Sequence, residues 1–148
     1  MMKINRASLA DLEDLTLLFD GYRRFYRQEQ DLGGCRDFLE DRITRNEAFI
    51  FIAREDDGSA IGFTLLYPIF SSVRRKRVYI LNDLFVHSDH RKKGVGERLL
   101  RAAANFGKEQ GAHGLQLETE ISNTKAQSLY ENQGWKKVDD VYFYNYTL

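Results

Sequence analysis

The sequence predicts a single α/β domain (α+β by some schemes) spanning residues 1–148, with a mixed central sheet of about six to seven strands and about four flanking helices. Three observations lead there. Strand-like and helix-like segments alternate, most regularly in the C-terminal half. A long apolar strand, Arg77–Val86, runs through a basic, glycine-punctuated turn straight into an amphipathic helix. No linker, repeat or low-complexity stretch divides the chain.

Lys3–Ala7 reads as a short first strand. Ser8 followed by Asp11 has the spacing of a capping box at a helix start. Leu9, Leu12, Leu15, Phe19, Tyr22 and Tyr26 then recur at helical period. Leu32-Gly33-Gly34 breaks that helix, and Arg36–Arg45 reads as a second, shorter one with Phe38, Leu39 and Ile43 inward. Ala48–Arg54 and Ala60–Tyr67 form a hairpin around Asp56-Asp57-Gly58. The only proline, Pro68, is expected to end that ladder or sit at its edge. Ser71–Lys76 is a polar, basic connection. Arg77–Val86 is apolar on both faces and therefore central. The helix Val95–Glu109 presents Leu99, Leu100, Ala103 and Phe106 on one face. Leu115–Thr119 follows as a strand, and Thr124–Gln133 as a last helix stopped by Gly134 in the C′ position. Val138–Tyr146 reads as a closing aromatic strand or hairpin.

Composition narrows the function. Twenty-two Lys and Arg balance 22 Asp and Glu, so the formal charge is zero. Nucleic-acid binders usually carry a basic excess, so none is expected as partner. No apolar run approaches the ~20 residues of a membrane span, and the first residues lack a signal-peptide core. Cys35 has no internal disulfide partner, and His87, His90 and His113 lack metal-ligand spacing. The chain is expected to be cytoplasmic, metal-free and independent of membranes.

The segment Arg91-Lys92-Lys93-Gly94-Val95-Gly96-Glu97 carries the chemistry. A helix N-terminus exposes backbone N–H groups without intrahelical acceptors, and the helix dipole adds partial positive charge there. Gly94 and Gly96 admit an anion close to the backbone, and three cations surround it, so the turn suits a phosphate or pyrophosphate. The alternative is a glycine-bearing loop with a solvated basic face.

The order strand, Arg-x-x-Gly-x-Gly, helix, strand, Asn123, then Tyr130 before Gly134-Trp135 resembles the GNAT superfamily of acetyl-coenzyme A-dependent N-acetyltransferases. Element order is similar over nearly the whole chain, and motifs over roughly Tyr79–Trp135. The phrasing of Leu81–Val86 and of Asn123–Tyr130 is most similar to polyamine acetyltransferases and the small histone/polyamine group. The resemblance implies acetyl-CoA as cosubstrate, an amine acceptor (small molecule, or protein or peptide) and a homodimer. It places the pyrophosphate on Arg91–Glu97 and the pantetheine arm along Leu84, Phe85 and Val86, with Asn123 also on the arm. Tyr130 becomes the acid that protonates the departing thiolate; its alternative is packing beside Ala126 and Leu129. Asn123 also serves as a helix N-cap. In polyamine-type relatives a glutamate precedes the aspartate of this strand; here Asn82 stands there and cannot accept a proton. Asp83 is then the candidate base, with burial raising its pKa, or else marks a bulge and bonds to nearby backbone. Glu118, Glu120 and a water chain are its rivals. Tyr22, Phe25, Tyr26, Tyr67, Phe70 and the Arg74–Arg77 run surround the expected acceptor entrance. That run either favours an anionic acceptor, faces water or meets the adenosine 3′-phosphate. Cys35 lies in the helix-breaking loop, far in sequence from these motifs, which favours direct attack over an acyl-enzyme. A non-catalytic acyl-CoA sensor would keep the turn without needing Tyr130, and transfer of another acyl group is a further alternative. A dinucleotide-binding module fits poorly, since the turn is not Gly-x-Gly-x-x-Gly.

Overall fold

A computed structural model describes all residues from Met1 to Leu148. Met1–Glu118 and Thr119–Leu148 form two compact units. The first holds a five-stranded sheet, β1 (Lys3–Arg6), β2 (Phe49–Arg54), β3 (Ala60–Ser71), β4 (Lys76–Val86) and β5 (Gly114–Gln116), in sequence order. Neighbours are antiparallel except β4 and β5, which are parallel, so the sheet is mixed as expected. It has five strands rather than six or seven: Val138–Tyr146 forms no strand. Four α-helices are present, as expected: α1 (Leu12–Phe25), α2 (Leu32–Thr44), α3 (Val95–Glu109) and α4 (Thr124–Asn132).

Local chemistry explains the boundaries. Ser8 and Asp11 do form a capping box, on one 3-10 turn (Leu9–Asp11) that leads into α1. The break after α1 comes earlier than Gly33-Gly34, at Arg27, whose φ is +65°. Both glycines lie in the first turn of α2, where Asp31 caps the helix by accepting the Gly34 N–H at 3.0 Å. That cap outweighs the low helix propensity of glycine. Pro68 does not end its strand: β3 continues to Ser71, and Pro68 faces Tyr79 of β4. The β2 ladder stops at Leu66, so Pro68 occupies a stretch with a neighbour on one side only, where a missing N–H costs little.

Two apolar layers cover the sheet. Leu15 and Phe19 of α1 and Leu39 of α2 pack with Ile50, Ile52, Phe63 and Leu65 on one face. On the other, Phe106 of α3 meets Phe49, Phe51 and Tyr79 at ring distances of 5.1–5.5 Å. Leu99, Leu100, Ala103 and Phe106 are all buried, the face the helical period indicated. Arg54 ties β2 to the start of α1 through Asp11 (2.8 Å) and Asp14 (2.7 Å). The second unit contains α4, capped by Asn123, whose side chain accepts the Ala126 N–H at 3.1 Å. Gly134 follows at φ +92°, the expected left-handed stop.

Candidate active site

β4 changes character halfway. Val78, Tyr79 and Ile80 pair with β3 on one side and with β5 on the other. From Leu81 to Val86 the β3 pairing continues, but β5 has ended. Leu84, Phe85 and Val86 therefore present one main-chain edge without a strand partner, as a splayed pair of strands requires.

A bulge sits at the junction. Leu65 faces Asp83 and Leu66 faces Leu81, so Asn82 is the extra residue. It turns Asn82 outward and Asp83 inward, leaving Asp83 3% exposed. The bulge expected at Asn82-Asp83 and the burial expected of Asp83 thus occur together. Asn82 Nδ2 donates to Asp83 Oδ1 at 2.8 Å, and Thr64 Oγ1 donates to the Asp83 main-chain carbonyl at 2.8 Å. Desolvation pushes the Asp83 carboxyl above its ordinary pKa, opposed by hydrogen bonds from Asn82 and Tyr22. The Tyr22 hydroxyl donates to the Asn82 main-chain carbonyl at 3.4 Å, beside the Asp83 carboxylate whose charge it feels. Burial and that negative charge drive the Tyr22 phenol far above the usual tyrosine range. Burial and then Asp83 push Tyr67 up to about 12.

The turn after β4 begins with a 3-10 segment, Ser88–His90, and ends at Gly94, the α3 N-cap, with φ +79°. Lys92 is also left-handed, at φ +64°. The first bond of α3 runs from Arg98 N–H to the Gly94 carbonyl at 3.1 Å, so Val95, Gly96 and Glu97 lie in the helix's donor-rich first turn. Arg91, Lys92 and Lys93 are exposed around it. A Cβ at Gly94 would meet nothing within 4 Å, so space is open there. Arg91 departs from expectation: its Nε donates to the Val86 carbonyl at 2.9 Å, and its guanidinium lies 5.6 Å from the Phe25 ring and 5.8 Å from Phe85. One group expected on the pyrophosphate thus rests on one expected on the arm.

The model of the acetyltransferase (GNAT) family matches residues 13–135. The chain belongs to the GNAT family. It is 49% identical over 147 residues to the uncharacterized N-acetyltransferase YhfO of Bacillus subtilis, covering 99% of this chain and 97% of that one. It is 30% identical to a probable acetyltransferase of Haemophilus influenzae, covering 91% of this chain and 90% of the relative. A crystal structure of a probable acetyltransferase superposes with a TM-score of 0.91 at 38% identity, over 99% of this chain and 96% of that one. The aminoglycoside N-acetyltransferase AAC(6')-Iy in complex with CoA shares the fold, with a TM-score of 0.83 at 23% identity over 100% and 96% of the two chains. The chain is thus a GNAT-family acetyltransferase.

Other expected residues of this GNAT chain fall as follows. Asn123 and Tyr130 lie in the second unit, on the cap and body of α4, with the Tyr130 ring 6.2 Å from Trp135. Glu118 and Glu120 are exposed and lie beyond β5, which ends at Gln116 and not at Thr119. Glu97 pairs its carboxylate with Arg101 at 3.0 Å, which leaves only its backbone for an anion. Arg74, Arg75 and Lys76 are exposed at the β3–β4 turn, and Arg77 stacks over Phe70 at 5.0 Å. Eleven residues of β4, roughly 30 Å of strand, separate that turn from the glycine loop, so the run does not line the same anion site. Cys35 lies inside α2 rather than in a loop and is 3% exposed; burial raises its thiol pKa.

Two contributors escape a reading of the sequence. Gly62 faces Val86, and a Cβ there would stand 2.8 Å from the Phe85 carbonyl oxygen, so only glycine lets β3 approach the open half of β4. The Tyr22 hydroxyl meets the Asn82 main-chain carbonyl across 60 positions of sequence, which no local pattern signals.

Proposed function

We propose that this chain transfers the acetyl group of acetyl-CoA to a primary amine by direct attack. One observation carries the reading: the open half of β4 holds a buried carboxylate and leads directly into a donor-rich, cation-flanked helix start. Those groups fit the cosubstrate, with a glycine-opened anion site at Arg91–Glu97 and free main-chain groups on Leu84, Phe85 and Val86 for an amide-bearing arm. Asn123 adds a contact to that arm from the α4 cap. Arg91 leaves the Val86 carbonyl when the arm arrives.

Bound acetyl-CoA supplies an activated thioester carbonyl. Main-chain N–H groups of the open edge polarise its oxygen. Asp83 removes the proton that the acceptor amine carries at neutral pH, and its raised pKa suits that task. Tyr130 delivers a proton to the departing sulfur. A buried thiol whose pKa burial raises, as at Cys35, supports direct attack over an acyl-enzyme.

The acceptor is proposed to be polyamine-like, on the wording of Leu81–Val86 and Asn123–Tyr130, and the working form a cytoplasmic homodimer. The exposed run Tyr142, Phe143, Tyr144 and Tyr146 offers apolar surface for self-association. The deciding experiment follows thiol release from acetyl-CoA with spermidine, sisomicin and an N-terminal alanyl peptide. Turnover of spermidine supports the whole reading; turnover of another amine keeps the reaction and replaces the acceptor. Tight acetyl-CoA binding without turnover of any amine makes the chain a sensor. Tyr130→Phe should lower kcat roughly 10–10³-fold with CoA affinity unchanged; undiminished kcat returns Tyr130 to packing.

A further inference from the structure

Arg91 carries a charge, yet its anchors are one carbonyl and two rings. Its Nε donates to the Val86 carbonyl at 2.9 Å, and its guanidinium stands 5.6 Å from the Phe25 ring and 5.8 Å from the Phe85 ring. Both distances lie within the ~6 Å reach of cation–π attraction. Neighbouring arginines of α1 are held otherwise, Arg24 by Asp20 at 3.0 Å and Arg23 by the Glu29 carbonyl at 3.2 Å. The two rings therefore form a cation seat that a side chain of this chain already fills. Phe25 is 58% exposed, so one wall of the seat is open to solvent. Phe85 is the fixed wall: α1 packs against it at Gly21, where a Cβ would stand 3.3 Å from the ring, and Tyr22 lies 6.4 Å away. Asp83 and Phe85 are two residues apart on β4, on one face and roughly 7 Å along the strand. We propose that the Phe25–Phe85 pair seats an ammonium group of the acceptor, and that Arg91 keeps this seat until acetyl-CoA draws the guanidinium away.

This rests on the transferase reading and gives its acceptor a place and a charge. The pantetheine arm needs the Val86 carbonyl that Arg91 holds, and the pyrophosphate arrives at the turn to which Arg91 belongs. The guanidinium exchanges a carbonyl and two rings for a phosphate, a charge-assisted and stronger partner. The rings are then bare, one strand step from a buried carboxylate, and an ammonium replaces the guanidinium on them. A neutral or anionic acceptor gains nothing from such a seat, so the class it selects is a cationic amine. The Arg74–Arg77 run does not oppose this charge, because it lies at the far end of β4, roughly 30 Å of strand away. One residue serves both events, so cosubstrate and amine each tighten the binding of the other by the same factor.

The test uses Phe25→Leu, which keeps apolar bulk at an exposed position but removes the π face, and Phe25→Tyr, which restores that face. The substrate is the amine turned over fastest among spermidine, sisomicin and the alanyl peptide. Phe25→Leu should raise its KM about 3–30-fold with kcat little changed, and Phe25→Tyr should return KM close to wild type. Acetyl-CoA affinity by calorimetry should hold or tighten in Phe25→Leu, because Arg91 has lost an anchor. An unchanged amine KM, or a parallel loss of acetyl-CoA affinity, overturns the seat and leaves the transferase standing. No turnover of any of the three amines by wild type overturns the transferase reading and the seat with it. A second measurement needs no turnover: the same amine titrated into free protein and into protein saturated with CoA should bind the loaded form at least about tenfold more tightly. Free Arg91→Ala should bind the amine as tightly as loaded wild type. Equal affinity in free and loaded wild type, or no gain in Arg91→Ala, overturns the proposal.

Discussion

The two halves of β4 share one chain, one antiparallel partner and similar residue types, yet they do opposite work. Lys76–Ile80 is sealed by β5 and carries Tyr79, 0% exposed and ringed by Phe49 and Phe106. Leu81–Val86 has lost β5, carries a bulge, and buries a carboxylate instead of a ring. The first half lowers the free energy of the fold; the second accepts an unfavourable desolvation and keeps backbone groups open. A strand thus offers a candidate site where its neighbour ends and its alternation slips by one residue.

The sharpest way to break this contrast is a pair of substitutions. Tyr79→Ala should cost about 3–5 kcal/mol of stability, read by denaturant unfolding, while the folded fraction keeps its kcat. Asp83→Asn should do the reverse, keeping the fold and lowering kcat about 10²–10⁴-fold. Equal losses of stability in both would make the open half merely another stretch of core.

A smaller effect has a definite sign. Asp83 titrates above the ordinary carboxylate pKa of about 4 when folded. Between that value and its raised pKa the folded protein binds more protons than the unfolded chain, so Asp83 makes stability fall as pH rises. Above the raised pKa the penalty is complete. Asp83→Asn removes it, so the variant's melting temperature should exceed wild type by a few degrees near neutrality, the gap closing in acid. A gap that widens in acid would mean the carboxylate stabilises the fold.

Much of this was legible in the sequence because local chemistry decided it. The helix Val95–Glu109 is bounded by Gly94 at one end and the Gly111 turn at the other, and its apolar stripe indicated the buried face. The Asn82-Asp83 irregularity was visible as two polar residues in an apolar strand. What failed depended on distant partners. Val138–Tyr146 has strand composition, but a strand exists only where an edge pairs with it, and none does. One local signal was missed as well: Asp31 capped α2 across two glycines that read as a break. Tyr22 could be placed as an aromatic but not beside the Asn82-Asp83 bulge, since α1 and β4 meet only in the fold.

Titration calorimetry of acetyl-CoA into wild type and Gly94→Asp asks whether the open half of β4 and the glycine loop after it hold the cosubstrate, as proposed. The space around Gly94 is open, and although any side chain is strained at its φ of +79°, aspartate is among the few residues that visit the left-handed region, so the variant should fold. Its carboxylate would repel an anion at the α3 N-terminus. We expect wild type to bind and Gly94→Asp to lose at least about tenfold in affinity, or roughly 1.4 kcal/mol. Equal affinity in the two proteins would contradict the account.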